Sequence, residues 1–311
     1  MTLLGHMREM KGALKEATVQ ISLARAESLA RVDGVLRERA IITKLTSSRD
    51  CPEFIPTPSI PSKDASFISI PYPFVPRCAL EAVIACGGGS KVEVVRYYVA
   101  SLTLVLEYLH SMDVIFRGMD PETMPIDEHG ALRLTDFRFA KHLDVNDSTP
   151  GRTYTVCGVA AYMAPEVAQS TGHDERADWF SLGVFIAHLL RGTPPFGMRV
   201  AHKTYEAICA CDLTDTFHEG ADPRATALAR DLLVVDPEAR LHTAKAVKQS
   251  ALLRDIDLDT LDTSRPPAEV EKLTRSAYRG RGVPPIRDAT EPTVFDTSWV
   301  DTFMALDTIA P

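Results

Sequence analysis

The sequence predicts an α+β chain in two unequal lobes: a small, irregular one to about residue 75 and a large, mainly helical one after it. Three observations carry this. Short apolar runs interrupted by prolines dominate residues 50–75. KVEVVRYYVASLTLVLEYLHSMD (91–113) keeps helical apolar spacing over its whole length. Asp178 to Leu190 is apolar nearly all round, the pattern of a helix buried at the centre of a large lobe.

The elements follow in order. ESLARVDGVLRERAIITKL (27–45) puts Leu29, Val32, Leu36, Ile41 and Leu45 at helical spacing, with Gly34 weakening its early part. Residues 50–64 hold four prolines and read as loop. FISIPYPF (67–74) reads as a short strand broken by Pro71 and Pro73. Residues 78–86 form a short helix stopped by Gly87, Gly88 and Gly89. From 114 to 141 the pattern becomes VIF as strand, PIDEHG as turn and ALRLTDF as strand. Beyond 160 the helices fall at 178–190, 201–211, 224–234 and 243–253. After about 255 periodicity is lost, and an extended tail is expected. The predicted division is a truncated first lobe at 1–75, a second lobe at 76–255 and a tail at 256–311.

Composition narrows the function. Net charge is −8, from 42 acidic and 34 basic residues, and no long basic block appears, which argues against a nucleic-acid partner. No run of 18 apolar residues is present, so no transmembrane segment is expected. The N-terminus carries charges within its apolar pattern and does not read as a signal peptide. The six cysteines lack C-x-x-C spacing and read as reduced thiols, which points to a cytoplasmic location.

The most informative stretch is LEYLHSMDVIFRGMDPETMPIDEHGALRLTDFRFAK (106–141). With VRYYVASLTLVLEYLHSMDVIFR (95–117), GRTYTVCGVAAYMAPE (151–166), ADWFSLGVFIAHLLRGTPPF (177–196), YEAI (205–208), DPEARL (236–241) and DTSW (296–299), it resembles the AGC-type Ser/Thr protein kinase family. The likeness is to its cyclic-nucleotide-dependent branch, the cAMP-dependent protein kinase catalytic subunit above all. The resemblance is strong over 91–250 and implies a bilobal protein-kinase-like fold, with a β-rich first lobe and a mainly helical second.

It also implies roles for single residues. Glu166 matches a structural glutamate that pairs with a buried arginine, here Arg240. Asp178 matches the helix residue that holds the catalytic loop's backbone. Phe116, Phe137 and Ile42 fall in an internal hydrophobic column linking the lobes. Thr155 matches an activation-loop phosphothreonine, with Arg117 and Lys141 as its basic partners. Glu122 and Glu206 match acidic residues that meet basic side chains of peptide substrates.

The transfer chemistry is another matter. Phosphoryl transfer needs positioning, a proton acceptor and charge compensation. Gly118 stands where the family has its catalytic carboxylate. Asp120 replaces the lysine that steadies the transferring phosphate, and would repel it. Thr123 replaces the asparagine that binds the second Mg²⁺, leaving at most a weak metal ligand. Asp136 keeps the main Mg²⁺ position, but Arg138 follows where the family has glycine and is placed to pair with it. In ATVQIS (17–22), Gln20 replaces the phosphate-pairing lysine; it can hydrogen-bond to its expected partner Glu38 but cannot neutralise phosphate. Pro125 replaces the leucine beneath the adenine. The 19 residues before Gln20 contain no G-x-G-x-x-G, so the phosphate-covering loop is expected to be missing. Val159-Ala160-Ala161 replaces the Thr-Pro-Glu of the peptide-docking turn.

These readings give a catalytically inactive kinase-like protein that works by protein binding and needs no cofactor. Its expected partner is a true kinase or a kinase regulatory subunit. The alternative is a weak, atypical ATP-dependent Ser/Thr kinase using ATP and Mg²⁺ through Asp136 and Thr123.

Overall fold

The computed structural model describes residues 17–23, 32–143, 150–198, 200–279 and 303–306. The small lobe is built on β1 (Ala17–Ser22), α1 (Val32–Thr46), β2 (Ser62–Lys63) and β3 (Phe67–Tyr72). The three strands form one antiparallel sheet in the order β1-β3-β2. Alternate residues Ile68, Ile70 and Tyr72 of β3 face inward, as a two-residue period requires. They pack with Ala17, Leu23, Val35, Phe74 and the returning Phe303. Pro71 does not break β3. Its carbonyl accepts from Ser59 N at 2.8 Å, so its nitrogen also faces away from β1 and no β1 ladder bond is lost.

β4 (Pro76–Ala79) leads from the small lobe into α2 (Leu80–Ala85) and α3 (Val92–Ser111). β5 (Val114–Ile115) pairs with β7 (Lys141–His142), and β6 (Pro125–Asp127) pairs with β4. The strand read at 131–137 reduces to a single bridge, Ile126 to Leu132. Its continuation turns to the preceding loop instead: Leu134 N donates to Phe54 O at 2.7 Å, and Arg133 Nη1 to Glu53 O at 2.6 Å.

Next come α4 (Pro165–Ala168), α5 (Arg176–Arg191), α6 (Ala201–Ala210), α7 (Pro223–Leu232) and α8 (Ala244–Lys248). α8 is much shorter than the helix read at 243–253. α5 is buried from Ala177 to Leu190 and forms the centre of the large core. Gly183 lets α7 close on it: a Cβ there would sit 2.9 Å from Leu232 Cβ. Each aliphatic side chain fully buried along this helix stabilises the lobe by about 1.5–3 kcal/mol. Ile41, Ile42 and Leu45 at the end of α1 join the large core, while Val35 near its start serves the small one. One helix therefore couples both lobes.

The tail is not extended throughout. α9 (Ala268–Arg279) docks on α2, α3 and β4, burying Val270, Thr274 and Ala277. Gly130 accommodates it, because a Cβ at that turn would sit 2.7 Å from Val270 Cγ1. DTSW (296–299), residues 1–16 and Leu29 lie outside the described residues. All six cysteines are free thiols, and no helix among the described residues is long and apolar enough to cross a membrane.

Candidate active site

The loop 116–123 lies under the lobe junction because α5 holds it there. Asp178, 1% exposed, accepts Phe116 N and Arg117 N at 2.8 Å each and meets His110 Nε2 at 2.8 Å. Arg117 takes a positive φ of 55°, an unusual backbone state for a non-glycine residue. Its Nε donates to Phe139 O at 2.8 Å. The Phe116 ring meets Phe137 edge-on, with centroids 5.8 Å apart, so the loop and the 136–138 segment share one packed contact. At Gly118 an added Cβ would lie 3.2 Å from the Phe116 ring.

The rest of the loop satisfies itself. Asp120 Oδ1 accepts Glu122 N at 3.1 Å, and burial raises its carboxyl above the usual range. Thr123 Oγ1 donates to Asp120 O at 3.2 Å. Pro125 is buried in β6 beside Ala79, with its carbonyl accepting Arg133 N at 2.9 Å.

Across the junction, Glu38 comes down from α1. Gln20 does not bond to it: Gln20 Nε2 donates to Ser69 Oγ at 3.2 Å, across the β1–β3 ladder. The antiparallel register sets Ser69 directly opposite Gln20. Glu38 Oε1 instead accepts Phe137 N at 2.9 Å. Burial, and then the Asp136 carboxylate beside it, push the Glu38 carboxyl up to about 8. Asp136 is bound by the Arg138 guanidinium, and Arg138 N also donates to its Oδ1 at 3.2 Å. The guanidinium lies 5.2 Å from the Phe139 ring centroid. Even with that cation, burial leaves the Asp136 carboxyl above its ordinary value. Asp136 is thus paired with an internal cation, whose charge also lowers the Glu38 carboxyl without offsetting its burial.

The large-lobe brace is complete. Arg240, 2% exposed, forks onto Glu166 at 2.7 and 3.0 Å. Its remaining donors reach Val234 O at 2.9 Å and Arg176 O at 2.8 Å. The chain from 153 to 162 leads into α4, which carries Glu166. Lys141 Nζ donates to Thr153 Oγ1 at 3.4 Å, and Thr155 is exposed. Val159-Ala160-Ala161 enters a short 3-10 turn ending at Tyr162. Glu122 and Glu206 are both exposed. The structure thus brings together Glu38, Asp136, Arg138 and Asp120, and separately Glu166 with Arg240; Gln20 stands outside the first group.

Sequence reasoning missed two buried histidines. His188 on α5 bonds Tyr162 Oη through Nδ1 and faces the Glu81 carboxylate at 3.6 Å. His173, just before α5, is 1% exposed. Burial pushes both imidazoles down to about 4. Neither His188, within an apolar run, nor His173, within the polar stretch STGHDER (170–176), carries a spacing signal that would have flagged it.

A small β-sheet lobe over a helical one, with a loop pinned at their junction by an aspartate of the central helix, is the architecture of a protein kinase. The chain belongs to the protein kinase domain family, whose model matches residues 8–252. Its relatives are AGC-type Ser/Thr kinases of the cAMP-dependent kind. A cAMP-dependent protein kinase catalytic subunit PRKX from Mus musculus is 33% identical over 216 residues, covering 68% of this chain and 59% of that protein. The cAMP-dependent protein kinase catalytic subunit of Dictyostelium discoideum is 36% identical over 170 residues, 53% of this chain and 25% of the relative. cAMP-dependent protein kinase type 3 of Saccharomyces cerevisiae is 39% identical over 148 residues, 48% and 35% respectively. The matched region therefore spans from a quarter to about three fifths of these relatives' length.

Proposed function

We propose that this chain is a kinase-fold protein that does not transfer phosphate and acts by binding a protein, its partner being a true kinase or a kinase regulatory subunit. The Arg138–Asp136 ion pair carries this reading. It puts a fixed guanidinium where transfer would need a metal ion, and a metal would have to displace it. Gly118 supplies no proton acceptor, and Gln20 turned to Ser69 supplies no phosphate-pairing cation. The pinned loop and the Glu166–Arg240 brace support the other half of the reading, because both are made by the chain's own side chains and backbone.

The test is γ-phosphate transfer to a basic peptide, run beside Asp136→Ala. Transfer by the natural chain is expected to equal that of the variant. Transfer well above it, lost in Asp136→Ala, contradicts the reading and favours a weak ATP-dependent kinase. Binding to purified kinase catalytic and regulatory subunits is expected to be the same with and without Mg²⁺ and ATP.

We also infer that Thr155 is a site phosphorylated by another kinase. Thr155 is exposed, while Arg117 Nη1 beneath the segment is buried with no hydrogen-bond partner. A phosphate is the acceptor that would satisfy it.

A further inference from the structure

Two buried groups under the 153–158 segment have unmet hydrogen-bonding capacity. Both ring nitrogens of His173 are buried without a partner, and so is Arg117 Nη1. A buried polar group left unsatisfied costs about 1–3 kcal/mol, so this pair has hydrogen-bonding capacity that an incoming anion can take up. The segment above is anchored on both. Thr153 exchanges backbone hydrogen bonds with His173 at 2.9 Å in each direction. The Tyr154 ring lies on Gly172, where a Cβ would come within 2.6 Å of Cε1. Further on, a Cβ at Gly158 would lie 2.7 Å from Arg117 O. A small cavity lined by Arg117, Cys157, Val159 and Asp178 lies under the segment. Thr155 lies between the two anchors and is exposed, as are its neighbours Tyr154 and Val156.

The charged groups facing His173 are Arg117 from the loop, Asp178 from α5, Glu166 from α4 and the neighbouring Asp174. The three acids already have partners. Asp178 holds two backbone N–H groups, Glu166 holds Arg240, and Asp174 holds Arg176 at 2.7 Å. What remains available to an incoming anion is Arg117 Nη1 and His173.

We propose that His173 is a phosphate ligand, which together with Arg117 and Lys141 reads phosphorylated Thr155 and takes up a proton as it does so. This rests on the reading of Thr155 as a modification site. In the modification, a separate kinase passes the γ-phosphoryl group of ATP to Thr155 Oγ1, ADP leaves, and the hydroxyl proton goes to that enzyme's base. The phosphate dianion then draws a proton from solvent onto His173. In the unmodified chain burial, and then Arg117, keep the imidazole neutral. An adjacent dianion favours the charged imidazolium instead.

The experiment uses the full chain with phosphothreonine installed at 155, and with the unmodified chain as reference. Thermal melting and a ³¹P pH titration are recorded for the natural protein, His173→Gln and His173→Phe. The unmodified forms of both variants report whether they fold. In the natural protein, phosphorylation is expected to raise Tm more at pH 6.5 than at pH 8.5, since a raised histidine pKa confers stability below it. The ³¹P midpoint is expected to fall ~1 unit below the value of about 6 for a free phosphothreonine. His173→Gln should keep part of the Tm gain and lose its pH dependence, and His173→Phe should lose more of the gain. An unchanged gain and midpoint in both variants would overturn the role of His173 while leaving the Thr155 site standing. A natural protein indifferent to the phosphate would overturn the Thr155 reading itself.

Discussion

Glu166 and Glu38 are both carboxylates drawn into the protein by a helix, and they meet opposite surroundings. Glu166 receives a two-pronged guanidinium whose other donors are satisfied by backbone carbonyls. Glu38 receives one backbone N–H, sits beside the Asp136 carboxylate, and is pushed up to about 8. The large-lobe brace is balanced in charge and hydrogen bonds. Among the described residues, the cation paired within the junction cluster is the Arg138 side chain, two positions along from Asp136. The comparison teaches that what holds this fold together is separable from what phosphoryl transfer requires. The brace needs no ligand, whereas a transfer site is by construction a cluster of like charges awaiting metal and nucleotide.

Breaking the brace is expected to have the largest effect. Arg240→Ala strands Glu166 in the core and should cost about 3–5 kcal/mol, read as a lowered denaturation midpoint. Next is acid sensitivity. His173 and His188 bind protons more weakly in the folded chain than in the unfolded one, so stability should fall as pH drops from the unfolded value near 6.5 to about 4. Urea melts across that window should show the fall, and His188→Gln should flatten it. Smaller still is the junction cluster. Because the Glu38 pKa is raised, its contribution is full below the unfolded value near 4.5 and is lost as pH rises through about 8. Glu38→Gln keeps the acceptor for Phe137 N and should be more stable than the natural chain by about 1–3 kcal/mol at pH 8.5, with little difference at pH 5. No alkaline difference between the two would mean that Glu38 is better compensated than the geometry indicates.

Much of this was legible in the residues. The long apolar run at 91–113 and the all-round apolar run after Asp178 became α3 and α5, because nothing else buries such surfaces. Glu166, Asp178 and Arg240 could be paired with their roles because motif order fixes which elements they sit on. Three things were hidden for physical reasons. α9 carries Val270, Thr274 and Ala277 on one face with charged residues between, a helical period legible in the residues; its docking on α2, α3 and β4 is what local pattern does not specify. The Gln20–Ser69 contact depends on the register of two strands 49 residues apart, which local pattern does not specify. The unmet donors of His173 and Arg117 arise from tertiary burial and leave no mark in spacing.

The central proposal is that the junction does not accept a magnesium nucleotide. Its most direct test is thermal melting of the full chain with ATP and Mg²⁺ or Mn²⁺, beside ATP alone, metal alone and buffer. A site holding the nucleotide at a hundredfold excess over Kd would gain about 2.7 kcal/mol, several degrees in a domain of this size. The account predicts no metal-dependent gain for the natural chain. A clear Mg²⁺-dependent rise that vanishes in Asp136→Ala would contradict it.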